Sequence, residues 1–148
     1  HIRAKGRPVI ISTGMSTMEE VEEAVRVLGK DNLIIIHTVS TYPALDKHLN
    51  LSLIPVLREH FPGIPIGYSG HEKGVAPSVI TAVLGASMVE RQITLDRTMW
   101  GSDQAASLEP RGLELLVRDI RMWEEAKGDG VKRVIPEEEP IKKKLRRK

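Results

Sequence analysis

Four times along the chain, a short run of β-branched residues is followed by a longer amphipathic stretch, and this alternation restricts the fold more than any other feature. Arg7–Gly14 reads as a buried strand ending in a glycine turn. Ser16-Thr17-Met18-Glu19 then has the spacing of a capping box, in which a hydroxyl and a carboxylate satisfy free N–H groups at a helix start. The helix that follows places Met18, Val21, Val25 and Leu28 on one face, with Gly29 near its stop. Leu33–Ser40 is a second strand, and its unbroken isoleucine run suits a strand covered on both faces. Leu51–Phe61 reads as a short helix with Pro55 marking a first turn or a kink. Ile64–Ser69 is the third strand, Val75–Ala86 a small-residue helix, and Met88–Thr94 the fourth strand. A last helix, capped by Ser107, runs to about Lys127 and is expected to bury Leu113, Leu116, Val117, Ile120 and Trp123. Pro136–Pro140 is expected to end the ordered part.

Such alternation implies an α/β fold with parallel strands. Four βα units can form an open doubly wound sheet or half of a barrel. Two features favour the half-barrel. No G-x-G-x-x-G or G-x-x-x-x-G-K-[ST] follows any strand. Polar residues also stand at the C-terminal end of every strand: Ser12/Thr13, His37/Ser40, Ser69/His71 and Gln92/Thr94. In barrel enzymes that rim carries the chemistry. At 148 residues the chain is well short of the ~250 typical of a closed (β/α)8 barrel. The expected division is a half-barrel over residues 1–135 and an acidic-then-basic tail over 136–148.

Hydrophobic residues at 41% and charged residues at 28% fit a globular chain rather than a disordered one. With aromatics at 3%, a stacking platform for single-stranded nucleic acid is disfavoured. Six basic residues among positions 142–148 carry +6, so the rest of the chain moves from the formal +2 to −4. Nucleic acid or anionic lipid would therefore engage only the tail, and a solvated terminus is the simpler expectation. The near-apolar stretch Val79–Val89 is too short and too interrupted to span a bilayer. No signal pattern opens the chain, so a cytoplasmic location is expected. Zero cysteines exclude disulfides, thiolate metal sites and a cysteine nucleophile.

Among candidate site residues, His37 closes an isoleucine run and reads first as a satisfied core histidine. His71 lies in Gly67-Tyr68-Ser69-Gly70-His71-Glu72-Lys73-Gly74, where the glycines suggest close backbone approach to an anion. From the residues alone, a ligand role and a turn role for His71 weigh equally. Glu90 and Arg91 at the fourth strand's end suggest an ion pair inside a barrel. Asp103 reads as a loop or capping carboxylate, and His1, His48 and His60 as surface residues. G-x-S-x-G, H-E-x-x-H and paired-cysteine patterns are all missing.

Four motifs occur in order between about Arg7 and Ile135: Val9-Ile10-Ile11-Ser12-Thr13-Gly14-Met15; His37-Thr38-Val39-Ser40-Thr41-Tyr42-Pro43; Gly67-Tyr68-Ser69-Gly70-His71; and Glu90-Arg91-Gln92-Ile93-Thr94-Leu95-Asp96 with Gly101-Ser102-Asp103. Together they resemble the sialic acid synthase family, which includes N-acetylneuraminate, legionaminate and pseudaminate synthases and spore-coat polysaccharide relatives. The resemblance implies condensation of phosphoenolpyruvate with an N-acyl hexosamine, giving a nine-carbon 2-keto acid and phosphate, on a (β/α)8 barrel whose strands five to eight correspond to this chain. It also implies a divalent metal, manganese or magnesium, held by two strand-end histidines. One matches His71; the other falls on Gln92, where the family pattern reads Glu-Arg-His. A neutral amide oxygen anchors a first-row metal more weakly than imidazole does. By the same resemblance Ser69 is a phosphoenolpyruvate contact, Ser40 falls where some members have an asparagine that contacts phosphoenolpyruvate, Tyr42 and Asp103 are acceptor-sugar contacts, and the full-length protein is a homodimer. The family's first four βα units, with a lysine-rich phosphate clamp, have no counterpart here, nor has the antifreeze-like domain. The chain is therefore expected to be inactive alone and prone to self-association through its open sheet edges. The alternative expectation is a non-catalytic interaction or scaffold domain derived from this barrel.

Overall fold

The computed structural model describes residues 1–146; Arg147 and Lys148, part of the expected basic tail, lie outside the described residues. Four strands alternate with helices: β1 (Val9–Ser12), α1 (Met18–Leu28), β2 (Leu33–Thr38), α2 (Leu53–His60), β3 (Ile66–Gly70), α3 (Ala76–Val83), β4 (Met88–Arg91) and α4 (Pro110–Ala126). All strand pairs are parallel, and the sheet order is β1-β2-β3-β4. A doubly wound sheet would reverse its order at a switch point. Sequential order without reversal is the arrangement of half a (β/α)8 barrel.

Period-two alternation sends successive side chains to opposite faces of the sheet. Val9, Leu33, Ile35, Ile66 and Tyr68 point to the helix side and form the core with Val21 and Val25 of α1, Ile54 and Leu57 of α2, and Phe61 and Ile64. The other face is closed at its centre, where Ile36 lies against Gly67; a Cβ at Gly67 would sit 2.8 Å from Ile36 Cγ2. At the β1 margin the same face is open, and Ile10 is half exposed.

Several element ends differ from the sequence expectation. The capping box is real but begins one residue later: Thr17 Oγ1 accepts from the Glu20 N–H, and the Thr17 N–H donates to Glu20 Oε2 at 2.8 Å. Ser16 and Glu19 therefore lie outside it. Pro55 sits in the first turn of α2, where its missing N–H costs no helical bond. Ser107 does not cap α4. Glu109 occupies that position, Pro110 opens the helix, and the Ser107 hydroxyl donates to Asp103 O instead.

Of the face expected to be buried on α4, only Leu116 is fully covered, while Leu113 and Val117 are exposed. The cause is positional: α4 packs on α3 and follows the edge strand β4, with no next βα unit beside it. A groove of about 420 Å³ remains there, lined by Met88, Val117, Ile120 and Trp123 among others. Order also continues past Pro140. A turn at Pro136–Glu138 leads into α5 (Glu139–Leu145), which buries no residue. No helix among the described residues is long and apolar enough to cross a membrane.

Candidate functional site

The C-terminal ends of β2, β3 and β4 bring the polar residues together. Thr38 pairs with Ser69, and Ser69 with Glu90, across the three strands. These side chains therefore share the face opposite the helices. The last pair of the β3–β4 register is Gly70 with Arg91. His71 directly follows the end of β3 and Gln92 the end of β4, so both stand at the C-terminal rim of these two neighbouring strands.

His71 is buried and held from several sides. Its Nδ1 lies 2.9 Å from Val39 O and 3.4 Å from Thr38 Oγ1. A carbonyl can only accept, so Nδ1 carries the proton and donates to Val39 O. That fixes the tautomer and leaves a lone pair on Nε2. The hydrogen-bond partner within reach of Nε2 is Ser69 Oγ, at a loose 3.5 Å. The Ser69 hydroxyl in turn donates to Glu90 Oε1 at 3.3 Å. The Tyr42 ring covers the imidazole, with centroids 4.1 Å apart and planes inclined by 34°.

Gln92 and Asp103 form the neighbouring part of the site. Gln92 Nε2 donates to Asp103 Oδ2 at 2.9 Å, and the Ser102 hydroxyl donates to Asp103 Oδ1 at 2.9 Å. The backbone supports this contact, because the Leu108 N–H donates to Gln92 O at 2.8 Å. Gln92 Oε1 is buried and has no hydrogen-bond partner. No hydrogen bond among the described residues joins the Ser40 side chain to either group, although the preceding Val39 carbonyl meets His71. The Ser40 hydroxyl packs against Gly14, where a Cβ would come within 2.1 Å of Ser40 Oγ.

Among the described residues no three His, Asp or Glu side chains gather to hold a metal. The donor set on offer is smaller: the free Nε2 of His71 and the orphaned Oε1 of Gln92. A buried acceptor without a partner is uncommon, and here it is the atom type a hard divalent cation prefers. Two protein donors suit a weakly held ion that keeps water or substrate oxygens in its shell.

His37 is buried with Nε2 donating to Leu49 O at 2.8 Å, but it is not the satisfied core histidine expected, because its buried Nδ1 has no hydrogen-bond partner among the described residues. Burial lowers its pKa, partly offset by that hydrogen bond. The expected ion pair at the end of β4 has a different partner. Arg91 pairs with Glu72 at 2.9 Å with both side chains buried, whereas Glu90 is exposed on the opposite face. Glu72 is the residue that sequence reading missed. Burial and the adjacent Glu72 carboxylate both push the Tyr68 phenol above its ordinary value. Burial lowers the Arg91 pKa, and Glu72 opposes that shift. Gly70 also has another reason than anion approach: a Cβ there would lie 2.6 Å from Glu72 Oε2 and 2.9 Å from Arg91 Cδ.

The sequence profile of the NeuB family matches residues 1–132. The chain belongs to the NeuB family. Human N-acetylneuraminate-9-phosphate synthase is 43% identical over 143 residues, covering 95% of this chain and 40% of that protein. The N,N'-diacetyllegionaminic acid synthase of Campylobacter jejuni is 38% identical over 138 residues, or 90% of this chain and 41% of that protein. Among solved structures, the N-acetylneuraminic acid synthetase of Leptospira borgpetersenii, crystallised with citrate, superposes with a TM-score of 0.84 at 34% identity. That match covers 99% of this chain and 53% of the other. This NeuB chain thus spans about two fifths of the curated relatives it matches, consistent with four βα units of an eightfold barrel.

Proposed function

We propose that this chain supplies half of an active site that condenses phosphoenolpyruvate with an N-acyl hexosamine, such as N-acetylmannosamine or a relative, to give a nonulosonic acid and phosphate. The observation that supports it most is that the ends of two neighbouring strands deliver to one rim an imidazole whose Nδ1 is committed to Val39 O, at His71, and an orphaned amide oxygen, at Gln92, whose Nε2 is bonded to Asp103. In this reading C3 of phosphoenolpyruvate attacks the sugar aldehyde, water adds at C2, and phosphate departs. His71 and Gln92 would hold Mn2+ or Mg2+, whose chemistry is Lewis-acid polarisation of the aldehyde oxygen. Asp103 accepts hydrogen bonds from sugar hydroxyls and fixes the aldehyde toward the enol, which is catalysis by orientation. Ser69, with its hydroxyl on the same face, and Ser40, at the β1–β2 margin, bind the anionic groups of phosphoenolpyruvate. The exposed ring of Tyr42 over His71 gives the acceptor sugar an apolar platform.

The half-barrel alone releases no phosphate, because the opposite rim is needed to complete the pocket. Its metal half-site is nonetheless testable by itself. Titration followed by the electron paramagnetic resonance of free Mn2+ is expected to give weak binding that His71→Ala abolishes. Binding unchanged by both His71→Ala and Gln92→Ala would refute the assignment.

The scaffold reading draws on Gln92 itself, since its amide is tied to Asp103. An assembled barrel that binds neither Mn2+ nor phosphoenolpyruvate would favour it.

A further inference from the structure

Behind the rim lies a second set of contacts that the proposed reaction does not use. Arg91 NH1 donates to Glu72 Oε1 at 2.9 Å, to Ser78 Oγ at 3.0 Å and to Gly74 O at 2.8 Å. Its NH2 donates to Glu72 O at 2.7 Å and to Ala106 O at 3.2 Å. One planar guanidinium thus joins three pieces of chain: the β3–α3 loop, the start of α3, and the turn before α4. Glu72 is fully enclosed, and Tyr68 and Ser78 donate to its two carboxylate oxygens at 2.8 and 2.9 Å.

The location of these joints matters more than their number. His71 immediately precedes Glu72, and Gln92 immediately follows Arg91. Asp103 lies at the other end of the turn that Arg91 grips through Ala106, whose N–H donates to Asp103 O at 3.1 Å. In extended chain, adjacent residues face opposite sides. Each rim residue is therefore backed by one attachment point of the same buried group.

We propose that Arg91 and Glu72 are positioning residues, a clamp on the helix side of the sheet that sets His71, Gln92 and Asp103 in register. Neither touches substrate or metal. The proposal rests on the functional reading above for the purpose of the register, but the register itself can be measured without any ligand. Two magnetic resonance signals report it. One is the His71 imidazole, held with the proton on Nδ1 toward Val39 O. The other is the Gln92 side-chain amide, hydrogen-bonded to Asp103.

The deciding variant is Arg91→Lys. It keeps a cation beside Glu72, but an ammonium lacks the rigid fork needed to reach Glu72 O and Ala106 O together. For a folded Arg91→Lys chain the clamp predicts a mixture of His71 tautomers, a shifted Gln92 amide and Mn2+ affinity reduced about tenfold. Wild-type signals and wild-type affinity in that variant would overturn the proposal and leave the pair as ordinary core charge balance. Where Arg91→Lys does not fold, Glu72→Met/Arg91→Met takes its place, since removing both charges together is often neutral for stability, and it is read by the same signals. Wild-type protein that binds no Mn2+ would refute the metal half-site alone, and the two resonance signals would still decide the clamp.

Discussion

Tyr68→Phe tests how the buried carboxylate of Glu72 is held, because it removes one hydroxyl and leaves the ring in place. Glu72 Oε1 has two donors, Ser78 Oγ and Arg91 NH1, each at 2.9 Å. The Oε2 atom has only the Tyr68 hydroxyl, at 2.8 Å. Both residues are fully buried, so water does not substitute for the lost donor. A hydrogen bond to a charged group contributes ~1.5–3 kcal/mol, and stripping the last donor from a buried acceptor falls in the upper half of that range. The expected loss is therefore about 2.5 kcal/mol, or ~5–10 °C in Tm for a chain of this length. Ser78→Ala leaves Oε1 with its Arg91 donor and should lose only about 1 kcal/mol. Urea melts of the two variants, followed by circular dichroism, measure both losses at once. A Ser78→Ala loss equal to or larger than that of Tyr68→Phe would refute the idea that donor count at each oxygen governs the energetics here.

Two further perturbations address the site and its surroundings. Gln92→His supplies the imidazole that the resemblance implies at that position; Mn2+ affinity is expected to rise about tenfold, equivalent to ~1.4 kcal/mol, and an unchanged titration would favour the scaffold reading. His37 is neutral and buried, with its pKa lowered from the ordinary 6.5, so the unfolded chain binds protons first as pH falls. Stability contributed by this residue is full above pH 6.5 and declines below it. Thermal melts between about pH 7.5 and 5 should show that decline, with a shallower slope in His37→Gln. Equal slopes in the two proteins would place the acid sensitivity elsewhere.

What the sequence disclosed, and what it hid, follows from the range of the forces involved. The strands and helices were legible because period-two and period-3.6 patterning is local, and β2 shows this in its isoleucine run. The capping box was off by one because Ser16 and Thr17 are both good caps, each with a glutamate three residues on; the choice depends on where β1 delivers the chain. The α4 face was misread for the opposite reason. Its amphipathic pattern is correct, but the neighbour that would cover Leu113 and Val117 is a further βα unit that these four strands do not provide.

Glu72 is the instructive case. From the residues alone, the loop of Gly70, His71 and Gly74 is equally compatible with a ligand role and a turn role for His71, and neither assigns a place to Glu72. Nothing local distinguishes a surface glutamate there from a carboxylate enclosed by Tyr68, Ser78 and Arg91. Only the β3–β4 register, which sets Gly70 opposite Arg91, brings the guanidinium over the loop. The same two strand ends lead directly into His71 and Gln92. The pairing of strand ends that builds the rim is thus also what buries the charge pair behind it, so a register shift by one residue would dismantle both together.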